Sequence, residues 1–270
     1  MKKTVFWIVV LAVAVAAGIY FWPSTPVRRP PETPQVHTLP VPEPPPEAPV
    51  HPITEQAPEP EKVEPRIDLD RPLPALEEAD PRMAEILKEL FPGRNLGRYF
   101  ILRNFIERFV VMVDNLPRRQ LPRSHIPVKA VKGPFLTTGQ DDYLVIDPAN
   151  YRRYTPYVGL AEAVDTRLAV AAYTYLYPLF QQAYEGLGYS HGYFNDRLVE
   201  VIDHLLATPK VTDPVRLVQP KVLYSYADPQ LEELSAGQKI LIRTGPVNAE
   251  RIKGVLRELR RELTGQVPGE

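Results

Sequence analysis

Seventeen of the 32 prolines fall between Pro23 and Pro74, a stretch of 52 residues, and the other fifteen are spread over everything that follows. Proline lacks a backbone N–H and fixes φ, so a tract this dense supports neither a helix nor a sheet ladder and stays near polyproline II. The tract also holds nine acids against five bases and almost no clusters of aromatic or β-branched residues. It has too little apolar surface to offset the entropy of ordering. The 270-residue chain is therefore read as three parts in series. Residues 1–22 are an anchor, 23–74 a disordered Pro/Glu-rich linker, and 75–265 a folded body large enough for one core. The linker reaches between roughly 40 Å as a coil and 160 Å fully extended. The PEPPP run at 42–46 has the form of a docking motif for an aromatic groove, but a semi-rigid spacer is the simpler reading.

No charged residue occurs from residue 4 to residue 22. As a helix, the run at 5–22 (VFWIVVLAVAVAAGIYFW) reaches roughly 27 Å, close to a bilayer core. Lys2 and Lys3 precede it, and Tyr20, Phe21 and Trp22 close it where an interfacial aromatic belt belongs. The expectation is a single-pass inner-membrane helix with a cytoplasmic N-terminus and a periplasmic body, although Arg28 and Arg29 beyond the span reduce the charge bias. A cleaved signal peptide competes, since Ala14-Val15-Ala16 has the small-x-small form of a cleavage site. Against it, the apolar run continues six residues past Ala16. The absence of cysteine excludes a disulfide scaffold, a cysteine nucleophile and a thiolate zinc site, and it fits an oxidising compartment.

The body reads as mainly α with a small antiparallel β element, an α+β fold of six or seven helices. Asp80-Pro81 predicts a helix capped by Asp80. Residues 96–116 are apolar on nearly all faces, which predicts one continuous buried helix. Short β-type runs at 135–138 and 143–146, separated by Gly139-Gln140-Asp141-Asp142, predict a hairpin. Helical spacing resumes at Leu160 and Val164, runs through Pro178, and ends at Gly186 and Gly188. Asn195 is expected to cap the next helix, residues 215–219 and 222–226 to be strands, and Asp228-Pro229 to start a short helix. Ser235 and Gln238 form a capping box, and a last helix follows Gly245-Pro246.

Four clusters could carry chemistry. Gly188-Tyr189-Ser190-His191-Gly192 matches G-x-S-x-G, but a nucleophile elbow needs a strand before the serine, and here a helix precedes it. Glu200, Asp203 and His204 share a helix face at a spacing suited to a metal or an acid/base pair, with a solvated polar face as the simpler reading. Between Asp114 and Asp141 there is no acid, while Arg118, Arg119, Arg123, Lys129 and Lys132 fall there with His125, a candidate anion-binding loop. Lys239 and Arg243 lie four apart near a helix start, where two exposed cations are the plain expectation. The body holds 25 basic and 24 acidic residues, which disfavours nucleic acid as a partner. No nucleotide-loop or paired-His zinc motif is present, so neither a cofactor nor a metal is expected.

Three strings, VDNLPR at 113–118, YFNDRLVEVIDHLL at 193–206 and YADPQLEELSAGQKILIRTGPVN at 226–248, resemble a family of bacterial, mainly proteobacterial, membrane-anchored proteins known only as a domain of unknown function. The resemblance covers roughly residues 75–265 and the anchor-plus-strut plan. It implies an inner-membrane setting and supplies no activity. The expected function is a single-pass inner-membrane protein presenting a periplasmic helical binding or scaffolding domain, without enzymatic activity. Residues 5–22 would contact the membrane, and the body would contact an envelope protein or an anionic glycan or lipid through Arg118, Arg119, Arg123, Lys129 and Lys132. The alternatives are an envelope hydrolase acting on cell-wall or lipid substrates, with Ser190 or the Glu200/Asp203/His204 face as its support, and a spacer whose body only oligomerises.

Overall fold

The computed structural model describes residues 48–53, 67–140, 143–163, 165–220 and 222–264. The expected span at 5–22, most of the Pro-rich tract, and Asp141, Asp142 and Val164 of the expected elements lie outside the described residues. Among the described residues no helix is long and apolar enough to cross a membrane.

Helix α1 (Asp80–Leu90) carries Pro81 in its first turn, where a missing N–H costs nothing, and buries Met83, Ile86, Leu87 and Leu90 at helical spacing. Ala79 occupies its cap, so Asp80 lies inside the first turn. The Asp80 carboxylate reaches another element instead, accepting the N–H groups of Asn104 (2.8 Å) and Phe105 (3.1 Å). The expected continuous helix over 96–116 is divided. Helix α2 (Leu96–Tyr99) stops at an extended Phe100, which bridges Val128, and the Ile101 and Lys129 N–H groups donate to the Pro127 and Tyr99 carbonyls at 2.7 Å each. Asn104 then adopts a left-handed φ of 51° ahead of helix α3 (Phe105–Asn115). All-round apolarity arises here from two packed helical pieces with a strand-like pairing between them.

The centre of the domain is α3, which packs against α5 (Thr166–Glu185) and α6 (Phe194–Leu206). Helix α9 (Pro246–Thr264) lies against α6, α5 and α4 (Ala149–Ala161). Phe109 meets Phe180 edge-on at 5.5 Å, and Phe180 stacks on Phe194 at 5.8 Å, so one aromatic cluster joins three helices. Because Phe194 belongs to that cluster, α6 starts before Asn195. Tyr193 stands at the cap, and Asn195 is a buried residue of the first turn rather than the expected cap. Helix α4 has no counterpart among the expected elements, because Pro156 lies inside it and its apolar stripe is weak. Its start has the same Asp-Pro sequence as residues 80–81, but here the acid serves its own helix: Asp147 accepts the Ala149 N–H at 2.7 Å. Leu160 belongs to this helix, and Asp165 caps the next through the Leu168 N–H.

Strands β1 (Thr137–Thr138) and β2 (Leu144–Ile146) form the expected hairpin, with Thr137 opposite Ile146. Strands β3 (Arg216–Val218) and β4 (Ser225–Tyr226) extend it in the antiparallel order β1-β2-β3-β4. A second small core of Ile146, Val215, Leu217, Tyr226 and Ile242 lies beside this sheet. Asp228 caps α7 (Pro229–Glu233), and the Ser235/Gln238 capping box opens α8 (Ala236–Arg243) as expected. The packing also takes in residues before 75: Ile67 is buried, Leu69 and Leu73 lie against the core, and Tyr175 donates to the Arg71 carbonyl at 2.8 Å. The described residues form a mainly α-helical domain with a small four-stranded antiparallel sheet.

Candidate functional site

Pro117, lacking an N–H, follows the end of α3 and turns the chain out of the helix. The carbonyls just past this end are filled from elsewhere. The first N–H groups of α8, which have no partner within their own helix, donate from Ala236 to Arg118 O (2.7 Å) and from Gly237 to Leu116 O (2.9 Å). The next, Gln238 N–H, goes to Ser235 Oγ at 3.2 Å. Glycine is needed at 237, since a Cβ there would lie 2.7 Å from Leu205 Cδ2 and 3.1 Å from Leu116 O. His204 Nε2 meets Ser235 Oγ at 2.8 Å, and Gln238 Nε2 donates to the His204 carbonyl at 3.2 Å. Burial lowers the His204 pKa below its ordinary value, with Glu200 acting against this and Arg197 adding to it.

Beside this contact lies Asp114, 3% exposed, a buried polar group that needs hydrogen-bonding partners. Arg118 reaches its Oδ2 at 2.7 Å and Arg197 Nε its Oδ1 at 3.1 Å, while Arg197 also donates to the Asp114 carbonyl at 2.8 Å. Tyr189 donates to the same carboxylate at 3.3 Å. Burial opposes the Arg197 charge, yet its hydrogen bond to Glu200 and the nearby charges of Glu200 and Asp114 hold its pKa above the usual guanidinium value. Burial, then Asp114, pushes the Tyr184 hydroxyl up to about 12. Strings 113–118, 193–206 and 226–248, far apart in sequence, thus meet in one polar junction whose groups are spent on one another.

The other sequence candidates fall around it. Ser190 is exposed in the turn after α5; Gly186 caps that helix, Gly188, at φ +101°, lies in the turn that follows, and Gly192 leaves room for the Tyr184 ring, which would lie 3.1 Å from a Cβ there. Tyr184 stacks on Tyr189 at 4.5 Å. Both motif glycines therefore have structural roles, Gly188 through its left-handed backbone and Gly192 through packing. Glu200, Asp203 and His204 do not act together: Glu200 pairs with Arg197 (2.8 Å), Asp203 with Arg260 (2.5 Å) and His204 with Ser235. Among the described residues no group of three metal-ligating side chains converges. Lys239 and Arg243 are not the exposed pair expected of them. Lys239 is paired with Glu232 at 2.8 Å, and Arg243 is buried over the Tyr226 ring, because this face of α8 covers the sheet's small core.

Of the cations on the 117–132 loop, Arg118, 53% exposed, pairs with the buried Asp114, and Lys129 reaches back to the Gly97 carbonyl. Arg119 and Lys132 are exposed, and Arg123 is exposed on the 3-10 turn Arg123–His125. Beside that turn, Arg103, Asn104, Glu107, Arg108, Ser124 and His125 line a shallow cleft of about 500 Å³. Arg108 is held there by the carbonyls of Arg103 (2.9 Å) and Ser124. Arg103 and Arg108 are absent from the sequence candidates because they precede Asp114, where the acid-free window opens. Their signal is the break at Asn104, which folds the start of α3 against the loop.

The profile of a family described as protein of unknown function, DUF3014, matches residues 105–260, more than half of the chain. The match contains the junction, the loop and the whole sheet. No curated protein matches the chain. No solved structure matches it either.

Proposed function

The chain belongs to the family described as protein of unknown function, DUF3014, and from that premise we propose that it is a membrane-anchored binding or scaffolding module of the bacterial envelope. Its span at 5–22 crosses the inner membrane, its Pro/Glu-rich tract sets the reach, and its helical body is exported to the periplasm to hold an anionic partner. The observation that carries this reading is the division of labour on the 117–132 loop. Arg118 is paired with Asp114, while Arg119 and Lys132 face solvent, and Arg123 lies exposed on the turn that borders a cleft lined in part by Arg103, Glu107, Arg108 and His125. Lys129, tied to the Gly97 carbonyl, flanks the same surface.

Two experiments test the reading. A phosphatase fused after Glu270 should be active in cells, and a silent fusion with normal expression would reverse the topology. In-cell crosslinking should yield an acidic envelope protein, glycan or lipid adduct that disappears when Arg119, Arg123 and Lys132 are together changed to Glu. An adduct that survives charge reversal, or turnover of muropeptides by the purified chain, would sink the binding-module reading.

A further inference from the structure

Six residues from inside the Pro-rich tract, Ala48-Pro49-Val50-His51-Pro52-Ile53, lie against the start of α6. The Asp196 carboxylate accepts two successive backbone N–H groups, Val50 on Oδ2 at 3.0 Å and His51 on Oδ1 at 2.6 Å. Asn195 Nδ2 donates to the His51 carbonyl at 2.8 Å, while Asn195 Oδ1 accepts the buried Tyr173 hydroxyl at 3.2 Å. Ile53 packs on the helical core, whereas Val50 stays 76% exposed. Ionised carboxylate oxygens only accept, so two adjacent N–H groups satisfy both without bringing in a second charge. Three main-chain groups and one apolar side chain are thus read, the way a groove reads an extended peptide. Pro49 and Pro52 restrict the undocked segment, which reduces the entropy lost on docking. The pattern recurs in the chain: Val50-His51-Pro52-Ile53 is echoed by Val36-His37-Thr38-Leu39, again close to prolines, at 34 and 40.

We propose that Asn195 and Asp196, with Tyr173 fixing the Asn195 amide, form a peptide-binding site for an extended segment, reading two successive backbone N–H groups, the carbonyl of the second residue and an Ile or Leu two residues further on, filled in cis by residues 50–53. The site is separate from the cationic loop and does not depend on what that loop binds. Tethering keeps the segment at a high effective concentration, so a few contacts suffice to hold it.

Amide hydrogen exchange on the full chain in detergent micelles, resolved at Val50 and His51, tests this. Asp196→Ala should speed exchange at those two amides at least tenfold while the amides of α3 and α5 keep wild-type rates. Unchanged rates at Val50 and His51 would overturn the proposal. Because Asp196 lies in the first turn of α6, His51→Pro serves as the second variant. It removes one donor from the tract without touching the body and should free the Val50 amide to the same degree; an unchanged Val50 rate would again overturn the site. The His51→Pro chain should then bind a synthetic peptide of residues 33–40, seen as a saturable shift of the Asn195 side-chain amide signals that Asp196→Ala abolishes. No shift, or a shift indifferent to Asp196, would overturn the assignment of the ligand pattern.

Discussion

Arg118 and Arg119 are neighbours in sequence and both are exposed, yet they face different regions of the molecule. Arg118, half-exposed, reaches the edge of the junction, where Asp114, Arg197, Tyr189, Glu200, His204 and Ser235 satisfy one another; Arg119 lies on the 117–132 loop, which faces water. A buried polar group is affordable only with partners, so the junction's charges are committed to holding α3, α6 and α8 in place. Solvated cations such as Arg119 and Lys132 contribute little to stability. Residue type alone does not separate the two roles. What separates them is whether an acid lies within reach inside the fold.

The contrast can be broken from its strongest side first. Asp114→Ala leaves Arg197 beside the core without its carboxylate and should cost about 3 kcal/mol in equilibrium urea unfolding, since removing one partner of a buried ion pair strands the other. An unfolding midpoint close to wild type would show that the junction is ornamental. Gly237→Ala pushes a methyl into Leu205 and the Leu116 carbonyl, and overpacking of this kind should cost roughly 1–3 kcal/mol. Wild-type stability in that variant would mean that α8 does not dock as closely as described.

The junction should also give the domain a pH dependence. The folded-state pKa of His204 lies below its ordinary value of 6.5, chiefly through burial, so the unfolded chain takes up a proton first. Stability is then full above the unfolded value and is lost as pH falls through it toward the folded pKa. Thermal melts between about pH 7.5 and about pH 5.5 should show the loss, and His204→Gln should flatten it. The smallest effect belongs to the loop: Arg119→Glu with Lys132→Glu should shift stability by no more than about 0.5 kcal/mol, as for surface changes away from packed features. A larger loss by the same urea titration would give these cations structural work.

How much of this is legible in sequence depends on whether the deciding contact is local. The Asp228 cap, the Ser235/Gln238 box and the left-handed Gly188 were all readable, because each is settled within four residues. Asp80 and Asn195 carry the same kind of cap signal yet serve other elements, as a short polar side chain bonds whichever backbone group lies nearest. The break at 100–104 depends on Phe100 pairing with Val128, a tertiary contact that periodicity does not register. The junction lay within three recognisable strings, but the 2.8 Å approach of His204 to Ser235 and the reach of Arg197 to Asp114 span 31 and 83 residues. The docking of residues 50–53 was hidden for a related reason: composition marks the tract as unable to fold alone, which does not prevent part of it from folding against something else.

The central claim, that neighbouring arginines divide between holding the fold and meeting a partner, is tested most directly by Arg118→Ala and Arg119→Ala in parallel urea titrations, each paired with the in-cell crosslink yield. Arg118→Ala should lower stability by about 1 kcal/mol, as befits a half-exposed ion pair, while Arg119→Ala leaves the midpoint unchanged and reduces the crosslink. Equal midpoints with equal crosslink yields in the two variants would contradict it.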